Sequence, residues 1–297
     1  MIAIVLLGFG SPEKLADVGP FVERVAGRAL PPGRLDASVA KYALIGGVSP
    51  FCASARAQAM LLEKMLNDAG NNVKVYLGMR FWNPGVDEAV AAALANNPER
   101  IILMCLTPYF SQASAGEYLK TAEESLVTLG NTAPVARIDS WNEEAQLIAG
   151  FADSLIEASA VAPAGAPVLF TAHSLPQSMI DSGDPYAEQV RTTVEQTAEA
   201  AGTPEWRLGW QSEGHGQGVW LKPTAEDVLG ELAGQGREAV VVMPIGFTAD
   251  HMETLYDVDI VMKKQANDLG IVFARAECLN ESEAVIAAMA AAVERKL

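Results

Sequence analysis

Short apolar runs that end in small, polar, proline-stopped loops recur along this chain, and segments of helical length alternate with them. Residues 4–7 run into Gly8-Phe9-Gly10-Ser11-Pro12, and residues 168–170 run into Thr171-Ala172-His173-Ser174-Leu175-Pro176. Each run is too short for a helix and reads as a strand buried on both faces. Parallel strands need a crossover, so alternation with helices implies an α/β fold whose parallel sheets are covered on both sides. Strands are expected at 2–7, 73–77, 100–106, 136–138, 168–171, 206–210, 239–243 and 271–274. Helices are expected at 54–67, 85–96, 114–129, 143–158, 186–201, 225–233 and 282–296.

The two halves echo each other. Residues 103–111 and 241–250 repeat the strand-then-loop relation with a longer loop, and 160–167 reads as a linker rich in Ala and Pro. The expectation is two doubly wound, Rossmann-like lobes, 1–160 and 161–297, with an active-site cleft between them. Ligands in such sheets gather at the carboxyl ends of the strands, where all four loops lie.

Composition narrows the partners. Against 37 Asp and Glu there are 21 Lys and Arg, a net charge of −16. No general basic field exists to attract nucleic acid or an anionic membrane. An anionic small molecule needs only a few local cations and is not excluded. Three cysteines lie far apart without a CxxC pair, so neither a disulfide framework nor a four-cysteine metal site is expected. No run approaches the roughly 18 apolar residues of a membrane span, and the first ten residues lack a charged leader. A cytoplasmic monomer is expected.

The stretch 246–257 follows the apolar run 239–243 through a turn at Pro244 and Gly246 and reads as the start of a helix. Glu253 and Asp257 sit four apart there, which sets two carboxylates on one face. They form either a solvated face or a pair whose mutual repulsion a cation or shared proton would relieve. His173, at a strand end, is either a loop histidine bound to backbone or a base poised near neutral pH. His251-Met252-Glu253 superficially resembles the HxE of zinc deaminases, but no downstream Pro-Cys-x-x-Cys exists. No G-x-S-x-G elbow, dinucleotide fingerprint or Walker loop is present either. Aromatics at strand exits, Phe81, Trp82, Tyr109 and Phe110, suit lip packing or a flat hydrophobic ligand, with Arg80 or Lys41 available for its carboxylates.

Several motifs coincide in order along the chain: Leu7-Gly8-Phe9-Gly10-Ser11-Pro12, Ile45-Gly46-Gly47-Val48-Ser49-Pro50, Gly78-Met79-Arg80-Phe81-Trp82-Asn83-Pro84 and 107–118. Ala172-His173-Ser174-Leu175-Pro176 with Gly183-Asp184-Pro185-Tyr186, Trp210-Gln211-Ser212-Glu213-Gly214 with Trp220-Leu221, and 246–257 follow. Together they make the chain resemble a ferrochelatase, the enzyme that inserts ferrous iron into a porphyrin. The resemblance implies two lobes gripping the macrocycle. It matches His173 to the family's metal-site histidine, Glu253 to the carboxylate facing it, and Asp257 to the next acid along the helix. Where some relatives carry a further acid, this chain has Val261.

The same resemblance nominates porphyrin-contacting residues: Phe9, Glu13, Lys41 and Ser49 near the start, then Arg80, Tyr109, Tyr118 and Trp210. It is similar to the bacterial branch that metallates coproporphyrin III, giving coproheme, although that branch often carries a tyrosine where Glu13 stands. Protoporphyrin IX is the alternative substrate. A cobalt or nickel tetrapyrrole chelatase and a non-catalytic haem carrier are the rival readings. Iron enters as substrate; no tightly bound cofactor and no iron–sulfur cluster are expected. Two pyrrole protons must leave as the metal enters, so a base has to sit beside the ring's centre.

Overall fold

Two four-stranded parallel sheets with the same strand order organise the computed structural model, which describes residues 1–214 and 218–297. The first half runs β1 (Ile2–Gly8), α1 (Val18–Ala26), α2 (Pro32–Leu44), α3 (Phe51–Asp68), β2 (Val73–Met79), α4 (Val86–Leu94), β3 (Arg100–Cys105), α5 (Glu117–Thr128) and β4 (Val135–Ile138). The second runs α6 (Ala145–Val161), β5 (Val168–His173), α7 (Gln177–Asp181), α8 (Tyr186–Ala200), β6 (Trp206–Gln211), α9 (Ala225–Gly234) and β7 (Ala239–Met243). A π-helix (Glu253–Met262), α10 (Lys263–Asp268), β8 (Val272–Arg275) and α11 (Glu283–Glu294) complete it. The sheet orders are β2-β1-β3-β4 and β6-β5-β7-β8. Each therefore reverses direction once, between β1 and β3 and between β5 and β7, which is where such folds bind ligands.

The eight strands lie where the apolar runs put them, with ends shifted by one or two residues. The central residues of the inner strands β1, β3, β5 and β7 are buried, as strands covered on both faces must be, while the edge strands β4 and β8 stay partly exposed. In the first sheet Ala3, Val5, Leu7, Ile101, Leu103 and Cys105 pack under α4 and α5. In the second, Leu169, Val240 and Val242 pack under α9 and under Val258 and Met262 of the π-helix. Among the described residues, and leaving aside α10, which continues the π-helix, three helices were not expected. In α1, Gly19 and Pro20 occupy the first turn, and α2 starts on Pro32 and Gly33. Proline in a first turn removes only a donor that has no intrahelical partner anyway, so the helix tolerates it. The third, α7, spans just five residues after Pro176.

The chain divides into two compact units, Met1–Trp141 with Ile286–Leu297, and Asn142–Val285. This differs from a boundary at 160. The stretch 160–167 is the connection from α6 to β5 inside the second unit, because α6 packs on α8, β7 and β8. Arg100, at the start of β3, donates to the carbonyls of Lys296 and Leu297 at 2.5 and 3.0 Å, which ties residues 286–297 into the first unit. No described helix is long and apolar enough to cross a membrane.

Candidate active site

At the carboxyl edge of the second sheet, β5 outruns its neighbour. Its pairing with β7 stops at Phe170 and Met243, while its pairing with β6 continues to His173 and Gln211. Pro244 ends β7, since proline has no N–H to give the ladder. The chain then crosses the end of β5: Gly246 N donates to Thr171 O at 3.0 Å. A Cβ on Gly246 would lie 2.7 Å from both Cα and Cβ of Ala172, so only glycine lets the two backbones approach this closely. His173 and Glu253 thus flank the point where the strand order reverses.

The two side chains face each other. His173 Nε2 lies 3.6 Å from Glu253 Oε1, and each side chain is about a third exposed. His173 Nδ1 lies 2.6 Å from the Ser174 carbonyl, which can only accept, so Nδ1 carries the hydrogen. Nε2 is therefore the nitrogen turned toward Glu253, and it holds the lone pair whenever the ring is neutral. His251 approaches the other oxygen, its Nε2 3.8 Å from Oε2, with its ring against Phe247 at 4.6 Å between centroids. Burial by itself would raise the Glu253 carboxyl. The positive charge that His173 carries when protonated, then His251, overcomes this and holds it below the ordinary glutamate value.

Asp257 lies one turn on. Its Oδ2 accepts from Ser212 Oγ at 2.5 Å, and Ser212 stands in the left-handed region at φ +57° just past the end of β6. Gln211 donates from Nε2 to the Glu253 carbonyl at 3.0 Å and anchors the first turn of the π-helix. The observed helix is π where an ordinary helical turn was expected, although Glu253 and Asp257 still share a side of the segment. Val261 is exposed farther along.

A charged network holds the loop before Glu253. Asp250 Oδ1 accepts from Arg275 Nη1 at 2.8 Å and from Thr254 Oγ1 at 2.9 Å; Oδ2 accepts from Asn280 Nδ2 at 3.1 Å. The Asp250 N–H returns to Asn280 Oδ1 at 2.8 Å. Burial opposes ionisation of Asp250, but the Arg275 guanidinium with Asn280 and Thr254 keeps its carboxyl below the usual aspartate value. Arg275 Nε also meets Asp259 Oδ1 at 3.0 Å.

Of the residues nominated from sequence, His173, Glu253, Asp257 and Trp210 belong to the second unit and the others to the first. In the first unit Phe9 is exposed at the end of β1 and stacks on Phe81 at 4.8 Å and Phe21 at 6.0 Å. Glu13 is paired with Arg56 and accepts from Trp82 Nε1 at 3.2 Å. Lys41 is exposed in the last turn of α2. Arg80 donates to Thr121 Oγ1 at 2.7 Å and lies 3.8 Å from Glu117. Ser49 is buried, and its Oγ accepts from the Phe51 N–H at 3.4 Å. Tyr109, Tyr118 and Trp210 are packed into the cores, Trp210 with its ring 6.0 Å from Tyr186. These last four are buried and present little surface.

Sequence reasoning weighed His251 only as part of an HxE and set it aside, and it gave no role to Ser212 or to the Asp250–Arg275–Asn280 network. His251 stood two residues before Glu253, which was its only signal. Among the described residues, no group of three or more His, Cys, Asp or Glu is gathered closely enough to cage a metal ion.

The ferrochelatase family model matches residues 1–297. The chain belongs to the ferrochelatase family. It is 32% identical to a ferrochelatase of Herpetosiphon aurantiacus, over 96% of this chain and 95% of that one. It is 33% identical to the coproporphyrin III ferrochelatase of Bacillus subtilis, over 100% and 98%, and 36% identical to that of Mycobacterium ulcerans, over 94% and 82%. Among solved structures, SirB from Bacillus subtilis with Fe3+ superposes with a TM-score of 0.63 at 12% identity, covering 99% of this chain and 94% of that one. CbiX, the terminal enzyme of siroheme biosynthesis in denitrifying bacteria, does so at 0.55 and 14%, covering 99% of each. At that identity the likeness is one of fold. As a member of the ferrochelatase family, the protein is a metal chelatase of haem biosynthesis, with porphyrin and iron as substrates.

Proposed function

We propose that the enzyme inserts Fe2+ into coproporphyrin III, releasing two protons, with His173 and Glu253 as the catalytic pair and Asp257 as the next station for the ion. The observation that carries the reading is the facing pair itself: an Nε2 whose lone pair is presented by the Nδ1–H to Ser174 bond, 3.6 Å from a carboxylate oxygen. In the reaction one pyrrole N–H bond breaks and its proton goes to the Nε2 lone pair. The carboxylate of Glu253, a hard oxygen donor, holds the incoming dication beside the ring until the pyrrole nitrogens take it. The second pyrrole proton leaves through the same pair once His173 has passed the first to solvent. Glu253 alone binds the ion weakly enough to surrender it, because the porphyrin supplies the remaining ligands.

The substrate assignment is supported by the relatives that bear that name. Coproporphyrin carries four propionates against two on protoporphyrin, so its site needs more cationic and polar partners. Lys41, exposed, and Arg80, about a third exposed, are the nominated cations. Protoporphyrin IX is the second reading, favoured by Glu13: a carboxylate at a position nominated for porphyrin contact would repel propionates, although Arg56 offsets its charge. Anaerobic turnover with Fe2+ and each porphyrin at matched, monomeric concentrations tests the assignment. A higher kcat/KM is expected for coproporphyrin III, and faster metallation of protoporphyrin IX would overturn it.

A further inference from the structure

Glu253 and Asp257 stand on a helix of the rare wide-turned kind, ten residues long, whereas such turns usually occur singly. A helix of this form needs support from outside itself. Arg275, the last residue of β8, reaches the segment on both sides of the two carboxylates. Its Nη1 donates to Asp250 Oδ1 at 2.8 Å, three residues before Glu253, and its Nε pairs with Asp259 Oδ1 at 3.0 Å, two residues after Asp257. Its side chain is only 10% exposed, and Nη2 adds Glu277 Oε2 at 3.2 Å. Asn280, held in the left-handed region at φ +48°, grips the second oxygen and the backbone N–H of Asp250.

We propose that Arg275 is a positioning residue for the iron-handling carboxylates: seconded by Asn280, it braces residues 250–259 at both ends and sets the placement of Glu253 and Asp257. This rests on the reading that those two carboxylates handle the iron. The geometry asks for a guanidinium. Its Nε and Nη1 donors diverge in one rigid plane and serve two carboxylates at once, whereas a lysine ammonium is a point charge on a flexible stem. The brace bonds to the segment that carries the carboxylates, so its effect is on where they stand.

The test compares Arg275→Lys, Asp259→Asn, Asp259→Glu and Glu253→Gln in the full-length enzyme, with Fe2+ and porphyrin varied separately and thermal unfolding followed in parallel. Arg275→Lys and Asp259→Asn should each raise the KM for Fe2+ by about tenfold, the usual penalty for losing support behind a metal-handling group. The KM for porphyrin should stay within about twofold, and Asp259→Glu should recover most of the loss. If Arg275→Lys fails to fold, Asp259→Asn carries the test, because it leaves the Arg275–Asp250 pair in place. Wild-type KM values for Fe2+ in the folded variants, or equal losses for both substrates, would overturn the proposal while an inactive Glu253→Gln leaves the reading of the site standing. A fully active Glu253→Gln would remove that reading and the proposal with it.

Discussion

His173 owes its usefulness to a bond that points away from the chemistry. Because Nδ1 gives its hydrogen to the Ser174 carbonyl at 2.6 Å, the reactive nitrogen is always Nε2. His173→Ala should therefore abolish metallation while porphyrin affinity, followed by fluorescence titration, changes by less than about tenfold, roughly 1.4 kcal/mol. Near-wild-type turnover in the folded variant would contradict this. Glu253→Gln should cost more activity than Asp257→Asn, since Glu253 faces the histidine whereas Asp257 is engaged by Ser212. Initial rates at saturating porphyrin decide between them, and the reverse order would mean that the axis of the site runs the other way. Both residues were legible in the sequence, one closing an apolar strand and one opening a polar turn after another. The Asp250 network was not. Its members lie 25 and 30 residues apart, and no periodicity links an aspartate to an arginine and an asparagine at such separations.

Among the elements, strands were the most legible because burial on both faces writes an uninterrupted apolar run. The π-helix was hidden for the opposite reason: carboxylates four apart share a face in either kind of helix, and only the hydrogen-bond ladder separates the two. Gly246 shows how closely these elements approach. Gly246→Ala would set a Cβ 2.7 Å from Ala172, with strain of about 1–3 kcal/mol, and should lower the midpoint of urea unfolding and the turnover together. The loop between β7 and the π-helix should also respond to acid. The carboxyl of Asp250 lies below its ordinary value when folded, so its ionised form stabilises the native state above the unfolded aspartate pKa of about 3.9. That contribution fades as pH falls through the lower, folded value. Asp250→Asn should accordingly cost about 3 kcal/mol at pH 7, with the gap to wild type narrowing below about pH 4 in denaturant titrations. A gap independent of pH would show that packing, not charge, is what Asp250 contributes.

For the molecule as a whole, the two sheets repeat one strand order, as the echo between the halves suggested, but the boundary between units was misread. A run of Ala and Pro looks like a linker whether it joins domains or joins a helix to the next strand, and only packing tells which. All three cysteines are buried, and burial raises the thiol of each. A thiol reagent should therefore modify the native protein slowly and react with three equivalents once guanidinium unfolds it; rapid native labelling would contradict that burial. Arg100 reaching residues 296 and 297 has a consequence for biosynthesis. The second unit is one continuous stretch, 142–285, all of it made before residues 286–297. The first unit waits until 286–297 have left the ribosome. Begun first, it is finished last, inverting the usual order in which nascent domains close from the amino terminus onward.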